Sequence, residues 1–289
     1  MLRRILGLAA VMATVLAVAA PQASAHPRPS SYYVALGDSL AAGYQPDPAI
    51  GRDQGYVPRV QKALGRNVKL QNFGCDGATT TTLLSGGGSC TYGTASSQLV
   101  AAERFQRRNR SQIRVVTIDI GGNDVNRCAA GGAIDQACTL AALGVLSTNL
   151  GQIISRLRAA APGVRIVGMT YYNPYLAAWL RGPAGQAVVQ QSLPLSALLN
   201  QILTGVYTAA DVRVADVAGA FASTDLSTTA ELPGVGTVPL AVARICTWTW
   251  MCVPGRTPDI HPTSSGYQTI ADAYLAQIRG YPQAAVAGR

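Results

Sequence analysis

Along this chain, short unbroken apolar runs alternate with longer stretches in which apolar residues recur every three or four positions. The runs are YYVAL at 32–36, VKLQNF at 68–73, RVVTIDI at 114–120, VRIVGMT at 164–170 and VRVADV at 212–217. Each is rich in β-branched and aromatic residues, and together they predict about five strands. Between them, Leu143, Leu146, Leu150, Ile153, Ile154 and Leu157 mark one helical stripe within 139–158. Near the other end Tyr267, Ile270, Ala271, Tyr274, Leu275 and Ile278 mark a second, behind Thr263 as a helix cap. Both stripes are core faces. Strands alternating with helices imply an α/β class built on a parallel sheet, where ligands collect beyond the carboxyl ends of the strands. Chemistry is therefore sought in the loops that leave those ends.

Residues 1–25 stand apart from this pattern. MLRR precedes the apolar run ILGLAAVMATVLAVAA and then Ala23, Ser24 and Ala25, the order of a cleaved secretory signal. The apolar run is short of the roughly 20 residues of a membrane span. The expectation is export, with a single domain over 26–289 and His26 at or near its mature start. No long linker or internal repeat divides that domain.

The formal charge of +9 at pH 7 is scattered, and RFQRRNR at 104–110 reads as a solvated helix end. No nucleic-acid motif accompanies it. Positive charge leaves room for peripheral contact with lipid interfaces, and the chain is expected to act as a monomer. In an exported protein six cysteines read as disulfides. Local spacing favours Cys75 with Cys90, Cys128 with Cys138, and Cys246 with Cys252, although six cysteines allow many other pairings. Zinc ligation is the weaker reading, since no CxxC occurs and the chain holds only His26 and His261. Neither a metal nor a cofactor is expected.

Four polar blocks come after strands or before the last helix: Gly37-Asp38-Ser39-Leu40; Asn72 to Thr79, reading NFGCDGAT; Gly121-Gly122-Asn123-Asp124; and Asp259-Ile260-His261-Pro262. A serine hydroxyl is a poor nucleophile without a base in hydrogen-bond reach, and His261 is the one well-placed imidazole. Each block alone is weak. In this order the four resemble the blocks of the SGNH hydrolases, the GDSL esterase and lipase family, and in particular its secreted actinobacterial members. The resemblance implies a three-layer α/β/α sandwich with a parallel, flavodoxin-like sheet. It also implies Ser39 as nucleophile, His261 as base, and an oxyanion hole made by the N–H groups of Ser39 and Gly77 with the side-chain amide of Asn123. Those residue types fit, because negative charge developing on a carbonyl oxygen needs donors already aimed at it. Asp38 and Asp124 are expected to brace their turns. A G-x-S-x-G elbow is absent, since Ala41 stands two residues after Ser39.

The chain departs from the family where members carry D-x-x-H. Pro258 occupies the acid's position, and Asp259 lies only two residues before His261. Either Asp259 reaches the ring by a local adjustment, or a main-chain carbonyl such as that of Pro258 orients it, as in family members that work with a serine–histidine dyad. The carbonyl is favoured here because it holds the tautomer without a buried charge.

Trp248, Trp250 and Met251 sit close in sequence to His261, where they either line an acyl pocket or pack their loop onto the domain. YYNPY at 171–175 comes directly after a strand and is expected at the rim. Together these favour a lipid or aliphatic acyl ester as substrate. A carbohydrate acetylesterase, a phospholipase, and a secreted binding module with a hydrolase fold remain the alternatives.

Overall fold

The computed structural model describes residues 31–130 and 133–280, so the signal read at 1–25 lies outside the described residues. The five apolar runs form β1 (Ser31–Gly37), β2 (Val68–Asn72), β3 (Ile113–Asp119), β4 (Ile166–Met169) and β5 (Arg213–Ala215). They pair in parallel in the order β2-β1-β3-β4-β5, the flavodoxin-like arrangement. The principal helices are α1 (Tyr56–Leu64), α2 (Gln98–Asn109), α3 (Gln136–Ala160), α4 (Pro183–Ala209), α5 (Leu240–Trp248) and α6 (Ser264–Arg279). Helices α1 and α6 pack together on one side of the sheet, and α2, α3 and α4 lie side by side on the other.

The burial pattern explains the layering. All four residues of β4 are buried, as are the last five of β1 and of β3, without the alternation of a sheet that faces water. Strands of that kind need helices over both faces. The Leu143 to Leu157 stripe supplies one cover and the Tyr267 to Ile278 stripe the other, every named residue being buried.

The strand order reverses between β1 and β3, and the loops after those strands open a crevice at the carboxyl edge. Three disulfides join Cys75 to Cys90, Cys128 to Cys138 and Cys246 to Cys252, the pairs that local spacing favours. Each tethers a loop on or behind that edge. A small hairpin, Ala129–Ala130 with Ala133–Ile134, rises inside the second bridge. The segment 249–262 is tied down by an isolated bridge between Thr249 and Pro262. Backbone bonds from Trp250 N to His261 O (3.0 Å) and from Thr263 N to Trp248 O (2.9 Å) flank it.

Candidate active site

The turn that carries Ser39 is built by close approach. Strand β1 ends at Gly37, whose φ is +147°, and a Cβ there would come within 2.3 Å of the Asp119 carbonyl oxygen. Only glycine fits. The buried Gln98 of α2 clasps this residue from the other side: Gly37 N–H donates to Gln98 Oε1 (2.7 Å), and Gln98 Nε2 donates to Gly37 O (2.9 Å). Asp38 then caps a short helix, Ser39–Ala42, with Oδ1 accepting the Leu40 N–H at 2.9 Å. As the first residue of that helix, Ser39 has no intrahelical acceptor for its own N–H.

From the opposite end of the chain, His261 places Nε2 2.7 Å from Ser39 Oγ. Its Nδ1 lies 2.6 Å from Asp259 Oδ1, and the same oxygen accepts the His261 backbone N–H at 2.9 Å. The expectation of a main-chain carbonyl from Pro258 is therefore corrected: the Asp259 carboxylate orients the ring. The reason is local. An aspartate that accepts a backbone bond from two residues ahead folds its carboxylate back over the turn, so one oxygen reaches both N–H groups and a three-residue spacing is not required. Burial alone would raise the Asp259 carboxyl, but the His261 ring and backbone bonds outweigh it and hold the group below its usual value. Tyr172 adds a clamp, its hydroxyl donating to Ile260 O at 2.6 Å, and the Tyr44 ring lies 4.3 Å from the imidazole.

Asn123 stands in the short helix Gly122–Asn126 after β3 and donates one side-chain N–H to Ala78 O (3.0 Å). An amide nitrogen carries two protons, so a second remains for an oxyanion. Gly77 sits in a left-handed turn (φ +73°) with open space where a Cβ would point, directly before Ala78, whose carbonyl Asn123 holds. Asp124 acts as a brace, accepting Thr80 N–H (2.9 Å) and the Thr80 hydroxyl (2.5 Å), and so locks the second and third blocks together.

A cleft of about 80 Å³ opens beside Ser39, Asn123 and His261. Its apolar walls include Val125, Ile134, Leu195 and Leu199, and residues 171–175 line it throughout. Asn200 fixes the start of that loop, accepting the Tyr171 N–H (2.7 Å) and donating to the Tyr171 carbonyl (2.8 Å). Of the two readings open for Trp248, Trp250 and Met251, packing onto the domain is the one that holds, and none of the three is among the cleft residues. Trp248 packs edge-on against Phe221 (5.1 Å) under Arg244, and Trp250 donates its indole N–H to Gln45 Oε1 (3.1 Å) beneath Arg256.

Sequence reasoning passes over Gln98, Tyr44 and Asp119. Of these only Asp119 leaves a signal, an acid between two isoleucines near the end of the run RVVTIDI. Among the described residues, no three His, Cys, Asp or Glu side chains converge as a metal site.

Fold and constellation together define a carboxylic ester hydrolase on a parallel α/β sheet. The match to a family model, GDSL-like lipase/acylhydrolase, over residues 35–269 makes the relation specific: this chain belongs to that family. Among solved structures it is similar to a phospholipase A1 from Streptomyces albidoflavus (19% identity, 86% of this chain and 99% of that one, TM-score 0.56). It is also similar to an extracellular lipase from Streptomyces rimosus (20%, 85% and 99%, 0.56) and to Est24, a carbohydrate acetylesterase from Sinorhizobium meliloti (12%, 86% and 98%, 0.50). At these identities the likeness is one of fold. No curated protein matches the chain.

Proposed function

We propose that this chain is an exported, monomeric serine esterase or lipase that hydrolyses lipid or aliphatic acyl esters through an acyl-enzyme on Ser39. The observation that carries the reading is the series Ser39 Oγ, His261 Nε2, His261 Nδ1 and Asp259 Oδ1, linked at 2.7 and 2.6 Å and opening on an apolar-walled cleft.

In this reading His261 takes the hydroxyl proton as Ser39 Oγ attacks the ester carbonyl, and Asp259 holds the ring and its developing charge. The oxyanion is met by the N–H groups of Ser39 and Gly77 and by Asn123 Nδ2. Collapse of the intermediate breaks the bond to the alcohol, which leaves with the proton from His261. Water, deprotonated by the same imidazole, then releases the acid and restores Ser39. Asp38 and Asp124 brace their turns rather than exchange protons with substrate.

The aliphatic preference rests on the leucine and tyrosine walls. Exposed Leu140 and Leu180 support contact with a lipid interface, because each lies close in the chain to cleft residues, Thr139 in one case and Pro174 and Tyr175 in the other. Three disulfides fit an oxidising, extracellular setting.

The test is a panel of nitrophenyl esters of graded acyl length, phospholipids and acetylated sugars on wild type beside Ser39→Ala. Wild type is expected to favour medium or long acyl chains and to be labelled by an organophosphate; Ser39→Ala is expected to lose both turnover and label. A sharp preference for acetate would reassign the protein to the carbohydrate acetylesterases, and binding without turnover would make it a binding module.

A further inference from the structure

Two carboxyl groups lie beneath the Ser39 turn, and the acyl-transfer steps use neither. Asp38 is 3% exposed and Asp119 fully buried. Asp119, the last residue of β3, reaches under the neighbouring strand's turn: its Oδ2 accepts the backbone N–H of Asp38 (3.3 Å) and of Ala41 (3.1 Å), on either side of Ser39. Its Oδ1 accepts the Tyr56 hydroxyl at 2.5 Å. Asp38 takes Leu40 N–H on Oδ1 and the Tyr171 hydroxyl on Oδ2, both at 2.9 Å. Asp119 Oδ2 thus lies against the backbone of Asp38, whose own carboxyl caps the same turn, so two buried acids crowd one turn.

We propose that Asp38 and Asp119 share one proton and act as a single positioning unit, which fixes the Ser39 turn and keeps one negative charge near His261 as the imidazole takes the serine proton. This rests on the reading of Ser39 as nucleophile. Two like charges in contact and out of water cannot both ionise. Burial first, and the adjacent Asp38 charge second, hold the Asp119 carboxyl well above the usual carboxylate range.

The other titratable groups around the pair are Tyr33 on β1, Tyr56 on α1, Tyr171 and Tyr172 after β4, Tyr207 on α4, Tyr267 and Tyr274 on α6, and His261. Burial keeps the seven phenols neutral, so none of them adds a charge beside the pair. Removal of the shared proton would drive the carboxylates apart, and each side of Ser39 is hydrogen-bonded to one of them. Asp119 is thus a positioning residue, acting on substrate only through the turn.

The test joins infrared spectroscopy to ester turnover on the full chain. At about pH 8, where an isolated aspartate has long since ionised, wild type is expected to show the carbonyl stretch of a protonated carboxylic acid, shifted in heavy water and lost in Asp119→Asn. That variant keeps a neutral hydrogen-bonding group of the same shape, and its kcat is expected to fall by less than about tenfold. Asp119→Ala, which removes the support, is expected to lose about 10²-fold, the scale of a misplaced reacting group. Absence of the band from wild type would overturn the shared proton. A natively melting Asp119→Asn as inactive as Asp119→Ala would overturn it as well, because charge rather than the proton would then be what matters; this arm decides even where Asp119→Ala does not fold. A band in a wild type without ester turnover would instead sink the hydrolase reading, and the positioning role with it, leaving proton sharing intact.

Discussion

Two aromatic loops lie near His261, and on composition they have equal claims to the substrate: YYNPY at 171–175 and CTWTWMC at 246–252. Only the first lines the cleft. It leaves the carboxyl end of β4, where a parallel sheet opens toward ligands, and Asn200 holds its backbone so that Tyr171, Tyr172 and Tyr175 border the cavity. The second loop has its aromatic surface already taken up by the domain: Trp248 by Phe221 and Arg244, Trp250 by Gln45 and Arg256. Its backbone does something else. Trp250 N donates to His261 O, and Trp250 O accepts Asp259 N–H at 3.3 Å, so the tryptophan loop is a rail along which the histidine turn is laid. Phe221 couples the loops, stacked on Tyr172 at 4.6 Å and edge-on to Trp248. The difference teaches that large apolar side chains near a catalytic residue point to substrate only where the fold leaves them without partners.

The largest effect falls on the turn that both loops support. Asp259→Asn removes the negative charge that orients and stabilises the imidazolium, and turnover is expected to fall by between 10² and about 10⁴, measured as kcat on a nitrophenyl ester. Retention of most activity would mean that backbone contacts alone hold the ring. The same substitution carries a pH signature. Because folded Asp259 sits below its unfolded value, its contribution to stability is complete above about pH 4 and is lost as pH falls through the lower folded value. Acid melting curves of wild type are therefore expected to show a decline in that window which Asp259→Asn lacks.

Of intermediate size is the change expected in the lining loop. Tyr175→Ala removes a half-buried ring from the cleft wall, and the ratio of long-chain to short-chain kcat/KM is expected to drop by roughly 10-fold or more, the worth of a few lost apolar contacts in a specificity pocket. A uniform fall across acyl lengths would place the acyl chain elsewhere.

Legibility in the sequence divides in the same way, between local and shared geometry. The five strands, the two helical stripes and the three disulfides are readable because each depends on spacing along one segment. Ser39 and His261 are readable because the chemistry admits so few residue types and this chain has so few histidines. The orienting group is not, since whether Asp259 reaches Nδ1 depends on how a turn folds back and not on a residue count. Asp119 and Gln98 are invisible as parts of the site because their role comes from strand β3 and helix α2 meeting the β1 turn, across 81 and 61 residues of sequence. Trp250 misleads because nothing in its own segment announces that Gln45 is its partner.

That last pair supplies the smallest and most discriminating prediction. Trp250→Phe keeps an aromatic face under Arg256 but removes the indole donor, which leaves Gln45 Oε1 without its partner in a site where Gln45 is 9% exposed and its Nε2 already lacks one. Leaving a buried acceptor unpaired costs about 1–3 kcal/mol, so the thermal midpoint is expected to fall by several degrees. If the loop is a rail, acyl-length selectivity stays where it was, because no cleft atom has changed. Selective loss of long-chain turnover, with a melting point unmoved, would restore Trp250 to the substrate wall and erase the distinction between the two loops.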